Sequence, residues 1–163
     1  MANSPFVLEF AFDGDVQIMT GLSRFGEYAR DLRPAFREIS ADFKQVTAAT
    51  FAAQGPGWPP LNPRYAAWKA RHYPGRPLLV RTGALQSAAT GGSGYVERLE
   101  PLVMQLGVNV RYAHFHQQGT GRMPARKLVD FREDPAVQRR WAKIIQRHLV
   151  RESRRAGLSG RET

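Results

Sequence analysis

Between residues 55 and 63 the chain reads Gly-Pro-Gly-Trp-Pro-Pro-Leu-Asn-Pro, a run that few arrangements tolerate. Proline has no N–H to donate and fixes its own φ, so prolines at 56, 59, 60 and 63 rule out a helix or an inner strand. The chain must therefore divide here into elements before and after a stiff loop. Trp58 and Leu61 would be idle in a loose linker, so the loop is expected to pack down. Asn62-Pro63 ends it as a helix start, with Asn62 as N-cap and Pro63 at the first helical position.

Upstream, Phe6, Leu8, Phe10 and Phe12 alternate with other residues, the period of a strand. Asp13-Gly14 marks a hairpin returning through Val16–Met19. Gly21 to Ala53 has helical spacing: Leu22, Phe25, Tyr28, Ala29 and Leu32, then a break at Pro34, then Phe36, Ile39, Phe43, Val46, Ala49 and Thr50 on one face.

Downstream, a helix carries Tyr65, Trp68 and Lys69 and stops at His72-Tyr73-Pro74-Gly75. Arg76 to Ser87 follows. Its apolar run Leu78-Leu79-Val80 is an anchor, and Thr82 is the expected N-cap of a short helix, with Gly83 allowing a sharp turn. Tyr95–Leu99 and Leu102–Val110 read as an antiparallel pair turning at Glu100-Pro101, with Leu102, Met104, Leu106 and Val108 on one face. Tyr112 to Gly119 reads as extended or turn, which would put His114 and His116 on one side. A Gly-rich loop, 119–122, leads to Met123-Pro124-Ala125-Arg126, and Lys127–Phe131 reads as a short strand or irregular edge. Asp134-Pro135 opens a last helix whose apolar face is Val137, Trp141, Ile144, Ile145, His148 and Leu149. Residues 156–163 read as a frayed basic tail. The expectation is one α+β domain over residues 1–155, with long helices on a small antiparallel sheet.

Charge narrows the partners. Lys and Arg number 24 against 14 Asp and Glu, a net +10. Such a chain seeks an anionic surface: nucleic acid, an acidic protein or a membrane face. Lysine stands only at 44, 69, 127 and 143; the remaining cations are arginine, suited to bidentate contacts with carboxylate or phosphate. A GC-rich genome enriches arginine in the same way. The chain has no cysteine, which removes disulfides, thiolate metal sites and thiol nucleophiles. No signal peptide is read at Met1–Pro5, and no apolar run reaches the ~18 residues of a membrane span. His114 and His116 lack a third ligand nearby, so a packing or interface role outweighs a metal site. Ser87 has no nucleophile-elbow context, and Gly91-Gly92-Ser93-Gly94 lacks the Lys and helix of a phosphate loop. No cofactor is expected.

Five short blocks in order carry a resemblance: Trp58-Pro59-Pro60-Leu61-Asn62-Pro63 with Tyr65 and Lys69; Leu79 to Ser87; Val108-Asn109-Val110-Arg111-Tyr112-Ala113; His116-Gln117-Gln118-Gly119; and Met123-Pro124-Ala125-Arg126. Together, over about residues 34 to 150, the chain resembles the virion morphogenesis or tail-completion family of tailed bacteriophages (Mu-like). Lys127 departs from the pattern, which has Phe there. The resemblance implies an α+β domain and a non-enzymatic role at the top of the tail, in a ring of subunits, six-fold by expectation, that joins tail to head. It implies other virion proteins as partners (tail tube or terminator, neck or connector), a place in the virion, and assembly in the host cytoplasm. Interface candidates are Trp58, Arg81, Thr82, His116, Gln117, Arg126, Arg140 and Arg147. The basic last helix would face an acidic neighbour or passing DNA, and no membrane. Two alternatives stand beside this reading: a sequence-nonspecific nucleic-acid-binding protein and, more remotely, a small metal-dependent hydrolase.

Overall fold

The computed structural model describes residues 6–10, 30–55, 57–128 and 134–155. Their order is β1 (Phe6–Phe10), α1 (Arg33–Ala52), α2 (Pro63–His72), α3 (Ala84–Ala89), β2 (Tyr95–Leu99), β3 (Met104–Val108), α4 (Ala113–Gln118) and α5 (Pro135–Arg155). The fold is α+β, and the sheet order is β1-β3-β2. The expected return strand at 16–19, most of the first helix, residues 129–131 and the tail 156–163 lie outside the described residues.

Helix starts are where the sequence speaks most clearly. Pro34 sits in the first turn of α1, where a missing N–H costs nothing. Asn62 accepts a hydrogen bond from the Arg64 N–H at 3.0 Å, and Asp134 accepts from the N–H groups of Ala136 and Val137 at 2.9 and 3.2 Å, as their N-cap roles require. In α1 the buried stripe is Phe36, Ile39, Phe43, Thr47 and Phe51. It keeps the 3–4 spacing beyond Phe43, where the sequence reading had turned to Val46, Ala49 and Thr50; Ala49 is exposed. The Thr47 hydroxyl is accommodated in this stripe by donating to the Phe43 carbonyl at 2.8 Å.

The predicted hairpin is present, closed by a hydrogen bond from the Glu100 N–H to the Val103 carbonyl at 2.8 Å. Met104, Leu106 and Val108 are buried, but so is Gly107. A strand flanked by neighbours on both sides and lacking a side chain at one position has little to expose there. Leu102, which alternation puts on the face of Met104, Leu106 and Val108, is 59% exposed because it lies in the turn, before β3 begins.

Contacts divide the chain into two compact units. One comprises Met1–Leu8, Asp42–Val96 and Leu106–Asp130; the other comprises Glu9–Ala41, Glu97–Gln105 and Phe131–Thr163. In the first, Phe43, Phe51, Val80, Leu85, Leu106, Ala113 and Leu128 are buried. In the second, Leu32, Phe36, Ile39, Met104, Val137, Trp141 and Ile144 are buried. The second unit is also tied by polar contacts. His148 Nε2 lies 2.9 Å from the Asp31 carbonyl oxygen, the Leu32 N–H donates to the Pro101 carbonyl at 2.7 Å, and Arg147 pairs with Glu38.

The short helix α3 is capped differently from expectation. Its N-cap is Gly83, at φ +90°, a left-handed conformation that glycine adopts without penalty. The Thr82 hydroxyl is 3.4 Å from the Ala84 N–H, long for a hydrogen bond. Leu85, by contrast, is 1% exposed. Leu85→Ala is therefore expected to cost about 3 kcal/mol, within the range for a buried leucine, and Thr82→Ala well under the ~1 kcal/mol of a true cap. Urea unfolding of the two variants checks this; equal losses would restore Thr82 as the cap.

Candidate functional site

Four stretches of the first unit enclose one groove of about 460 Å³: the start of α2, the segment before α3, α4, and the loop after α4. The segment before α3 is held by Lys69. This side chain is 6% exposed and its Nζ donates to the Pro77 carbonyl at 2.5 Å. Desolvation lowers the Lys69 pKa. Leu79, which lines the groove, has φ +58°, a conformation a branched side chain adopts only where its surroundings impose it. Arg81 follows, exposed at the groove's edge.

Opposite lie α4 and its loop. Tyr112, Phe115 and His116 all line the groove, as a 3–4 helical spacing dictates. This corrects the extended reading of Tyr112–Gly119: Ala113–Gln118 is helical. In a helix residues two apart point to different sides, so His114 and His116 do not form a ligand pair. Among the described residues no cluster of three or more His, Cys, Asp or Glu could hold a metal. The loop turns through a bridge between Thr120 and Met123, with the Thr120 hydroxyl accepting from the Met123 N–H at 3.1 Å. It returns as Arg126, whose N–H donates to the His116 carbonyl at 2.7 Å.

The lining has a clear chemical character. Leu61, Leu79, Leu85, Met123 and Pro124 make it apolar; Tyr65, Tyr112 and Phe115 bring aromatic rings; Lys69, Arg81, Arg122 and Arg126 bring positive charge. Among the described residues no Asp or Glu lines it. Tyr65, Tyr112 and Phe115 are 42%, 41% and 44% exposed. Tyr65 also begins an aromatic ladder along α2: it stacks on Trp68 at 5.5 Å, and Trp68 stacks on His72 at 4.8 Å. Exposed aromatics beside arginines are the composition of a protein-binding surface.

The interface candidates fall in four places. Arg81 and His116 lie on the groove. Trp58, Gln117 and Arg126 hold the site together. Trp58 packs edge-on to Phe51 at 6.1 Å and donates Nε1–H to the Lys127 carbonyl at 2.8 Å. Gln117 Oε1 accepts from the Leu128 N–H at 3.1 Å. Arg126 is 3% exposed and donates to the carbonyls of Pro59 and Pro60. Thr82 is exposed and outside the groove lining. Arg140 and Arg147 are exposed on α5 in the second unit. There Arg139, Lys143, Arg147 and Arg151 follow at four-residue intervals along one helix face, and a cleft is lined by Lys143, Gln146, Arg147, Val150, Arg151 and Arg154. The sequence reading did not anticipate Lys69, Tyr112, Phe115 or Arg122 as site residues. The spacing of Tyr112, Phe115 and His116 was the signal for the second and third.

Residues 13–150 match the phage virion morphogenesis family. The chain belongs to that family. Among curated proteins and solved structures nothing matches it. For this family member the match covers the groove, α5 through Val150 and every interface candidate, and it points to a structural role in virion assembly.

His116 gives the site a pH dependence. Its Nδ1 is buried without a hydrogen-bond partner, and its pKa is lowered, first by desolvation and then by the nearby Arg126. A histidine depressed in the folded state contributes stability that is complete above its unfolded pKa of about 6.5 and is lost as pH falls through the folded value. Urea unfolding between about pH 7.5 and pH 5 should show that decline, with a slope of at most ~1.4 kcal/mol per pH unit for one proton. His116→Gln should flatten it; an unchanged slope would show that the imidazole titrates as freely folded as unfolded.

Proposed function

We propose that this virion morphogenesis protein is a tail-completion or head–tail joining component, acting without catalysis in a closed ring of subunits at the head-proximal end of the tail. The observation that carries the reading is the family match over residues 13–150, joined to the ordered blocks of sequence from Trp58 to Arg126 that resemble the virion morphogenesis or tail-completion family. The physics fits a subunit that must engage unlike neighbours. Rings use heterologous contacts, a different patch on each side of the subunit. The aromatic, cationic groove and the cation-bearing α5 are two patches of different chemistry. Loops stiffened by proline give contact surfaces at modest ordering cost.

A second reading has its own observation. The row Arg139, Lys143, Arg147 and Arg151 on α5 is a geometry for duplex phosphates, so DNA passing through the ring is the proposed partner of that helix. A neighbouring acidic protein would meet the same charges.

The test is a null mutant of the particle that encodes the chain. Heads and tails should form but fail to join stably, or tails should be abnormal at the head-proximal end. Normal infectious particles from the null mutant would end the proposal.

A further inference from the structure

The groove of the first unit holds two cations whose burial is not balanced by any acid among the described residues. Lys69 is 6% exposed and Arg126 is 3% exposed, and the hydrogen bonds both make are to neutral backbone carbonyls, of Pro77 and of Pro59 and Pro60. An ammonium carries three donors, and one of Lys69's reaches Pro77. A buried cation without a counter-ion is costly. Arg81 and Arg122 add exposed positive charge at the rim, and among the described residues no carboxylate lines the groove. His116 Nδ1, also at the groove, is a buried polar atom left without a partner. Around these groups the walls are apolar and aromatic.

We infer that this groove receives a peptide segment of a neighbouring protein in which a carboxylate stands beside an aromatic or branched apolar side chain. The carboxylate balances the cations within reach of Lys69, Arg81 and Arg122. The apolar side chain fills the space between Leu79, Tyr112 and Phe115, the central buried anchor that interfaces depend on. Nucleic acid fits less well. A phosphate backbone needs a continuous track of accessible cations, whereas two of the four here are enclosed and the lining between them is apolar. Burial lowers the pKa of both Lys69 and Arg126, and an entering carboxylate would relieve that. That the segment comes from a virion protein rests on the assembly role proposed above; the chemistry of the groove does not.

A displayed library of random twelve-residue peptides, selected on the purified full chain, provides the test. Enriched peptides should carry Asp or Glu within two positions of Phe, Trp, Tyr or Leu. A synthetic copy of the strongest should lose about ten-fold or more in affinity against Arg81→Glu or Arg122→Glu, both exposed positions that leave the core intact. Replacing its carboxylate by the amide should do the same, and Arg71→Glu, exposed on α2 but outside the groove, should change little. Enriched peptides without an acid, binding unaffected by Arg81→Glu and Arg122→Glu, or a labelled thymidine oligonucleotide that displaces the peptide and depends on the same two arginines would each overturn the inference. The binding assay does not involve particles. Peptides behaving as expected alongside a silent null mutant would leave the groove's ligand standing and remove the joining role.

Discussion

Gly55→Ala is expected to destabilise the protein by at least about 4 kcal/mol, far more than one added methyl group ordinarily does. Two costs combine. Gly55 has φ +69°, where a side chain costs roughly 1–2 kcal/mol. A Cβ at that position would also fall 1.7 Å from Trp58 Cδ2 and 2.0 Å from Cε3, so the indole must leave its place. With it go the contact to Phe51 and the hydrogen bond to the Lys127 carbonyl. Truncating a buried aromatic costs roughly 3–5 kcal/mol; Trp58 is half-buried, which places its share at the low end. A double-mutant cycle separates the two costs. In a Trp58→Ala background, Gly55→Ala should cost only the backbone part, about 1 kcal/mol. Additive losses would show that the ring does not rest on Gly55.

Arg126→Leu is the second large expected effect, about 4 kcal/mol. The side chain's Nε donates to the Pro59 carbonyl at 2.8 Å and Nη2 to the Pro60 carbonyl at 2.7 Å. Hydrogen bonds from a charged donor are worth roughly 1.5–3 kcal/mol each, and the replacement strands both acceptors. Arg126→Lys should not restore the loss, because one ammonium cannot reproduce a planar fork across two successive carbonyls. Equilibrium unfolding in urea reads both variants. Wild-type stability in Arg126→Leu would mean that the cost of burying a cation without a counter-ion cancels what its hydrogen bonds contribute.

These two residues show where a sequence is legible. The proline-rich loop, the packing of Trp58 and the caps at Asn62 and Asp134 follow from local chemistry, and each is found in the structure. Arg126 is different. As one arginine among many in a chain of charge +10, it reads as surface. Its burial depends on carbonyls 66 and 67 residues away, and no local pattern encodes that distance. Lys69 reads as a solvent-facing cation on α2 until the chain folds back and brings the Pro77 carbonyl to its ammonium. The helix at 113–118 was obscured by competition between periods. His114-Phe115-His116 alternates as a strand does, while Tyr112, Phe115 and His116 keep helical spacing. In so short a segment the hydrogen bond from the Gly119 N–H to the Phe115 carbonyl decides the matter. At Lys127, where the family resemblance expects Phe, the structure uses the backbone carbonyl to receive Trp58, a contact indifferent to the side chain. The groove itself was half visible. Arg81 and His116 read as interface residues, but the exposed aromatics and the buried cations beside them become a site only when the chain folds them together.

A reconstruction of the native particle is the direct test of the joining role. This chain should stand at the head-proximal end of the tail, in a closed ring, with an acidic and apolar segment of a neighbouring protein lying against Tyr112, Phe115 and Arg81. A complete particle with normally joined head and tail, in which the chain is absent from that end, would contradict it.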